Sequence, residues 1–181
     1  MIYLASSSQT RAEILSDAKV DFKQIDFSFD ESVVDKNISP NLYVLSVAKA
    51  KKQQFMSVHK GLKNVLFADS CVVCDGEILG KPKNYYDAFK MLMIQSDNYA
   101  KVLTAMIFLG EKFELLNVSQ TTFKFAKFDE KLVDEYIKSG LCMDKAGAMM
   151  IEGFNKQYII QQDGNTSTAR GLNVEILKAF L

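Results

Sequence analysis

The stretch Asn64–Pro82, NVLFADSCVVCDGEILGKP, decides the reading of the fold. Its first part, Asn64 to Asp69, is a continuous apolar run closing on a carboxylate, the pattern of a central strand buried on both faces. The rest, SCVVCDGEIL, alternates about Asp75-Gly76, a dipeptide suited to the tight turn of a hairpin. A buried central strand needs neighbours, and the flanking sequence supplies them. Upstream, Ile2 to Ala5 reads as a strand, followed by a Ser-rich turn and a helix from about Gln9 to Ala18 with Ile14, Leu15 and Ala18 on one face. DFKQIDF reads as a second strand. Ser39-Pro40 then reads as an N-cap and first helical residue opening a long helix through NLYVLSVAKAKKQQFMSV.

Downstream, a helix is expected from about Asn84 to Gln95. Long strands follow at Tyr99 to Leu109 and Lys112 to Phe125. DEKLVDEYIKSG reads as a helix capped by Asp129 and closed by Gly140. Strands near Ala148 to Ile151 and Tyr158 to Gln162 are expected before a last helix ending at Leu181. Helices and strands alternate with hairpins mixed in. That predicts a single α/β domain over residues 1–181, with a mixed, elongated twisted sheet flanked by helices.

Composition narrows the function classes. The 181 residues carry 22 basic and 22 acidic side chains, so the formal net charge is zero and nothing draws the chain generally to nucleic acid or anionic membrane. No apolar run approaches the roughly 18 to 20 residues of a membrane helix. The N-terminal MIYLASSSQTR lacks the basic start and long apolar stretch of a secretory signal, so a cytoplasmic protein is expected. Arg11 and Arg170 are the only arginines, and His59 is the only histidine. A lone histidine excludes His-pair zinc motifs and argues against a Ser-His-Asp triad.

Two chemistries compete inside the opening stretch. Cys71 and Cys74 form a C-x-x-C, the spacing of redox dithiols and of half a zinc site. In a strand their odd separation points them to opposite faces, and neither Cys142 nor His59 completes a zinc set. Packing is the expected role of these thiols. Asp69, at the end of an apolar strand, is a carboxylate where α/β sheets gather ligands. It could hold a divalent cation or orient a water. Lys81, between Gly80 and Pro82, sits on a stiff backbone. In LASSSQTRAEIL, Ser6, Ser7 and Ser8 precede a helix carrying Arg11 in its first turn, which suits either an ordinary N-cap or a phosphate grip.

Taken together, these motifs resemble the Maf family of nucleoside triphosphate pyrophosphatases, relatives in fold of the inosine triphosphate pyrophosphatases. The resemblance runs from Tyr3 to about Leu177. It rests on LASSSQTRAEIL, Glu31, YVLSVAKAKK, ADSCVVCDGEILGKP, DAFKMLMIQS, VLTA and DKAGAMMIEG. It implies metal-dependent hydrolysis of a nucleoside triphosphate to the monophosphate and pyrophosphate, with Mg2+ or Mn2+. The family's phosphate-gripping turn falls on Ser6, Ser8 and Arg11, its carboxylate before the long helix on Glu31, and its helix lysine on Lys51. The catalytic aspartate falls on Asp69, the G-K-P lysine on Lys81, and the metal on Asp69 with Glu31. Asp144, Lys145 and Glu152 fall in the segment tied to substrate selection and site closure. A homodimer is compatible with the resemblance.

Three departures bear on substrate. The usual S-P-R-R reads Ser8-Gln9-Thr10-Arg11. The frequent S-G-x-x-H-x-V reads Ser96-Asp97-Asn98-Tyr99-Ala100-Lys101-Val102, and I-Q-G reads Ile151-Glu152-Gly153. Asp144-Lys145-Ala146-Gly147 resembles the branch acting on dTTP and UTP, whereas Glu152 resembles the branch acting on 7-methyl-GTP. The expected substrate is dTTP or UTP. The alternatives are modified purine nucleotides, a nucleotide-binding regulator of cell division without turnover, and a thiol redox or zinc protein.

Overall fold

Seven strands form one mixed sheet in a computed structural model that describes residues 1–30, 33–35 and 37–181. The elements run β1 (Ile2–Ala5), α1 (Gln9–Asp17), β2 (Phe22–Ile25), α2 (Pro40–Val58), β3 (Val65–Cys74), β4 (Glu77–Leu79) and α3 (Tyr85–Gln95). They continue with β5 (Tyr99–Leu109), β6 (Glu114–Phe125), α4 (Glu130–Lys138), β7 (Ile159–Asp163), α5 (Thr166–Ala169) and α6 (Val174–Lys178). The strand order is β2-β1-β3-β5-β6-β7, with β4 on β3. β1 lies parallel to β2 and β3, whereas β3–β4 and β6–β7 are antiparallel. The expected α/β class with a mixed sheet is the one that forms. Among the described residues, no helix is long and apolar enough to cross a membrane.

The chain groups into two compact units: residues 1–70, 103–119 and 165–181, and residues 71–102 and 120–164. In the first, α1 buries Ala12, Ile14 and Leu15 against Leu66 and Ala68 of β3 and Met106 and Phe108 of β5. Each large aliphatic side chain so buried contributes roughly 1.5–3 kcal/mol. Arg170 clamps the outer side of α1, its guanidinium meeting Glu13 at 3.2 Å and Asp17 at 3.7 Å. On α2, Val44, Val47, Ala48 and Phe55 form the buried stripe at helical spacing. Phe55 meets Phe67 of β3 edge-on, with ring centroids 5.5 Å apart.

Successive β3 residues therefore serve different neighbours. Leu66 and Ala68 belong to the α1 core, and Phe67 belongs to α2. That alternation continues into the polar pair Asp69-Ser70.

Three expectations need correction. Asp69 lies in the middle of β3, because the apolar run and the first arm of the hairpin are one ten-residue strand. What makes Asp69 special is its neighbour: β1 pairs with β3 at Tyr3–Val65 and Leu4–Leu66 and ends at Ala5, so β3 outruns it. No strand forms over Ala148 to Ile151. Gly147 and Ala148 take φ values of 63° and 54°, which a strand cannot accommodate, and residues 146–148 wind into a 3-10 turn. The last helix is two short helices, α5 and α6, parted by Gly171 at φ 109° and restarted by an Asn173 cap.

The second unit is built around aromatic rings. Phe125, Phe128, Tyr158 and Phe154 pack in succession, and Tyr136 of α4 stacks on Phe154 with centroids 4.5 Å apart and planes 4° from parallel. Asp97, which stands where the resemblance leads one to expect glycine, takes φ 54°. Aspartate is among the few side chains that tolerate that conformation, so the departure keeps the turn.

Candidate active site

Lys51 is a charged residue on an apolar stripe. It lies four residues after Val47 and four before Phe55, so the helix aims it inward, at β3. There its Nζ donates to Oδ1 of Asp69 at 2.7 Å, and both side chains are about nine-tenths buried. Nζ also lies 5.6 Å from the centre of the Phe29 ring. A close, charge-assisted bond in this low-dielectric setting fixes the direction of the carboxylate. The stripe interruption is the signal from which Lys51 can be found without any family likeness.

Glu31 lies outside the described residues. The residue before it, Asp30, is bracketed by Gln54 of α2: Asp30 N donates to Oε1 at 2.9 Å, and Nε2 donates to Asp30 O at 2.7 Å.

Ser8 caps α1, its Oγ accepting from the Arg11 N–H at 3.4 Å. Ser6 Oγ accepts from Ser8 N at 3.2 Å and from Arg11 Nη1 at 3.3 Å, while Gln24 Nε2 donates to Ser6 O at 2.7 Å. Ser8 caps the start of the helix, and Ser6 orients the arginine. The Arg11 fork is held further by Gly171 O, which accepts from Nε at 2.9 Å, and by Ser70 Oγ, which accepts from Nη2 at 3.4 Å. A Cβ on Gly171 would stand 3.3 Å from Ser70 Oγ and 3.5 Å from Arg11 Nε, at a φ that favours glycine. The first unit thus carries two sets on opposite faces of β3, Ser6, Ser8 and Arg11 on the α1 side and Lys51 with Asp69 on the α2 side. It adds Ser70 and Gly171, which sequence reasoning assigned no role.

In the second unit, Lys81 follows Gly80, whose carbonyl accepts from Gly147 N at 2.8 Å. The G-K-P turn is thereby tied to Asp144-Lys145-Ala146-Gly147. Gln95 of α3, fully buried, donates to Gly147 O at 2.6 Å. Tyr136 donates to Ala148 O at 3.2 Å. Burial, reinforced by Cys142, Glu152 and Asp144, pushes the Tyr136 phenol well above its ordinary pKa, so it stays a donor. Glycine suits position 147, where φ is 63° and a Cβ would stand 3.0 Å from Val72. Lys145 meets Asp144 at 3.3 Å, and Glu152 is exposed in the turn that follows.

The cysteines are packed. Cys71 and Cys74 are buried, and Cys74 Sγ shares its one proton between Ile94 O at 3.3 Å and Tyr99 O at 3.2 Å. Burial, with Asp75 beside it, pushes the Cys74 thiol from 9.0 up to about 11, which leaves little thiolate near neutral pH.

The family described as "Maf-like protein" matches residues 1–181. A protein of Campylobacter jejuni subsp. doylei named "Nucleoside triphosphate pyrophosphatase" is 45% identical, with all of both chains covered. One of the same name from a Nitratiruptor species is 38% identical over 98% of this chain and 96% of its own. A "dTTP/UTP pyrophosphatase" of Acholeplasma laidlawii is 33% identical over 98% and 93%. Among solved structures, a HAM1 protein from Coxiella burnetii overlaps 70% of this chain and 73% of its own at 15% identity, with a TM-score of 0.44.

Proposed function

The chain belongs to the Maf-like protein family, and on that premise we propose that it hydrolyses nucleoside triphosphates, dTTP and UTP preferentially, to the monophosphate and pyrophosphate. Full-length relatives at 44–45% identity that carry the pyrophosphatase name support the activity. The pyrimidine preference is supported by the Acholeplasma laidlawii relative and by Asp144-Lys145-Ala146-Gly147. The observation that carries the reading is the oriented, nearly buried Lys51–Asp69 pair. Asp69's chain neighbour Ser70, directed to the other face of β3, holds the Arg11 fork.

In the reaction, water attacks phosphorus, the phosphoanhydride bond breaks, and its electron pair leaves with pyrophosphate. Asp69, with Glu31, supplies the carboxylates that take the water's proton or anchor a cation. Lys51 holds Asp69 in direction. Arg11 and Lys81 stabilise negative charge that develops on the leaving group. Ser6 and Ser8 shape the turn that presents Arg11.

A divalent cation fits this donor set. Mg2+ and Mn2+ take oxygen ligands and are commonly held by one or two carboxylates plus substrate phosphates. Asp69 offers such a carboxylate, though no cluster of three His, Cys, Asp or Glu side chains exists among the described residues. Bound there, the ion would supply charge neutralisation and Lewis acidity.

The test is pyrophosphate release from dTTP, UTP, 7-methyl-GTP and the other common triphosphates, with Mg2+, Mn2+ or chelator, wild type beside Asp69→Asn. Release that needs both the metal and Asp69 is expected. Nucleotide binding without release under any metal would overturn the catalytic reading in favour of a regulator.

A further inference from the structure

The VLTA segment of β5 contains a buried hydroxyl that the reaction as described above does not use. Thr104 is fully buried and stands in an otherwise apolar run, Val102 to Leu109. Its Oγ1 donates to Thr168 O at 2.8 Å and lies 2.8 Å from Ser70 Oγ. A hydroxyl has one proton, and a carbonyl can only accept. Once Thr104 donates to Thr168 O, Ser70 must donate to Thr104, and the Ser70 lone pairs are turned toward Arg11 Nη2. The direction of every bond in this chain is set by the carbonyl at its end.

Thr168 O does a second thing. It accepts from Gly171 N at 3.0 Å, and Gly171 O is the acceptor for Arg11 Nε. Thr104 thus stands behind two of the oxygens that hold the guanidinium, Ser70 Oγ directly and Gly171 O through α5. We propose that Thr104 is a positioning residue for the pyrophosphatase reaction, its buried hydroxyl fixing the plane of the Arg11 fork. This rests on the reading of Arg11 as a group that contacts substrate phosphate. A planar, bidentate donor loses its value when misdirected, whereas a point charge would not.

The bland account is that Thr104 merely satisfies a buried carbonyl. A cycle on the whole protein separates the two, measuring kcat and KM for dTTP and UTP with Mg2+. Thr104→Val, equal in volume, should lower kcat/KM by about 10- to 100-fold, mostly in kcat, as expected for displacement of a charge-stabilising group. Thr104→Ser should restore most of the loss. In an Arg11→Lys background, which has no fork to orient, Thr104→Val should cost little more. An equal further loss there would reduce Thr104 to a structural role and overturn the proposal. So would wild-type kcat/KM in Thr104→Val beside a large loss in Arg11→Ala, which leaves the Arg11 reading standing. Wild-type turnover in Arg11→Ala would overturn both. Should Thr104→Val fail to fold, Ser70→Ala carries the same comparison, and no loss there overturns the proposal.

Discussion

Lys51 Nζ donates to Asp69 Oδ1 at 2.7 Å, joining the core-facing stripe of α2 to the middle of β3. Both side chains are close to nine-tenths buried. An ion pair in that setting is seldom placed for stability alone, because desolvation offsets much of its attraction. Its physical consequence is direction: the bond from Lys51 to Oδ1 restrains the carboxylate from swinging. Asp69→Asn should cut turnover by about a hundredfold or more while circular dichroism and the melting profile keep their folded signature. Near-normal turnover in a folded variant would remove Asp69 from the reaction.

Glu152 is exposed in the turn after the Asp144–Gly147 segment, where a carboxylate can accept but not donate. Glu152→Gln should shift the ranking of kcat/KM toward thymine and uracil nucleotides over 7-methyl-GTP. An unchanged ranking would mean that Glu152 does not read the base.

Gly147 is favoured twice, by its φ of 63° and by Val72, which a Cβ would approach to 3.0 Å through atoms close to the backbone. Its carbonyl also carries the Gln95 bond. Gly147→Ala should lower stability by about 1–3 kcal/mol, read from urea unfolding, and should impair turnover by displacing the turn that carries Lys81. A variant as stable as wild type would show that the segment adjusts freely.

Cys74 gives a pH signature. The folded state holds the thiol proton up to about pH 11, whereas the ordinary value is 9.0. The unfolded chain therefore sheds that proton first. The contribution to stability is complete below about 9 and is lost as pH rises through about 11. The urea midpoint should fall across this interval more steeply in wild type than in Cys74→Ala. Equal slopes would show that Cys74 does not contribute. In the folded protein at pH 7.5, thiol reagents should react with Cys74 only as the chain opens.

Much of this protein is written locally. Period-two and period-three-to-four patterns, the Asp75-Gly76 turn, and the Ser8, Asp129 and Pro40 helix starts all act within a few residues, and each forms as its pattern requires. The one-residue caution is Asp69. A polar residue in an apolar run looks like an end, yet β3 continues because its ladder partners, not its side chains alone, decide where a strand stops. The expected strand over Ala148–Ile151 failed for the opposite reason. Side chains with strand propensity are overridden by two left-handed residues held by Gln95, Tyr136 and the Gly80 carbonyl.

The sequence by itself determined the α/β class, the element order up to α4, the Ser8 and Asp129 helix caps and the family, because those depend on short-range pattern and on motif identity. It pointed to Lys51 only through the family resemblance. Only the tertiary structure decided what holds Arg11. The oxygen that accepts from its Nε belongs to Gly171, 160 residues away, and the serine that meets its fork is aligned by a threonine on β5 and a carbonyl on α5. A hydroxyl carries no trace in its identity of whether it will donate or accept. That is settled when folding brings a carbonyl that can only accept to the end of the chain of bonds.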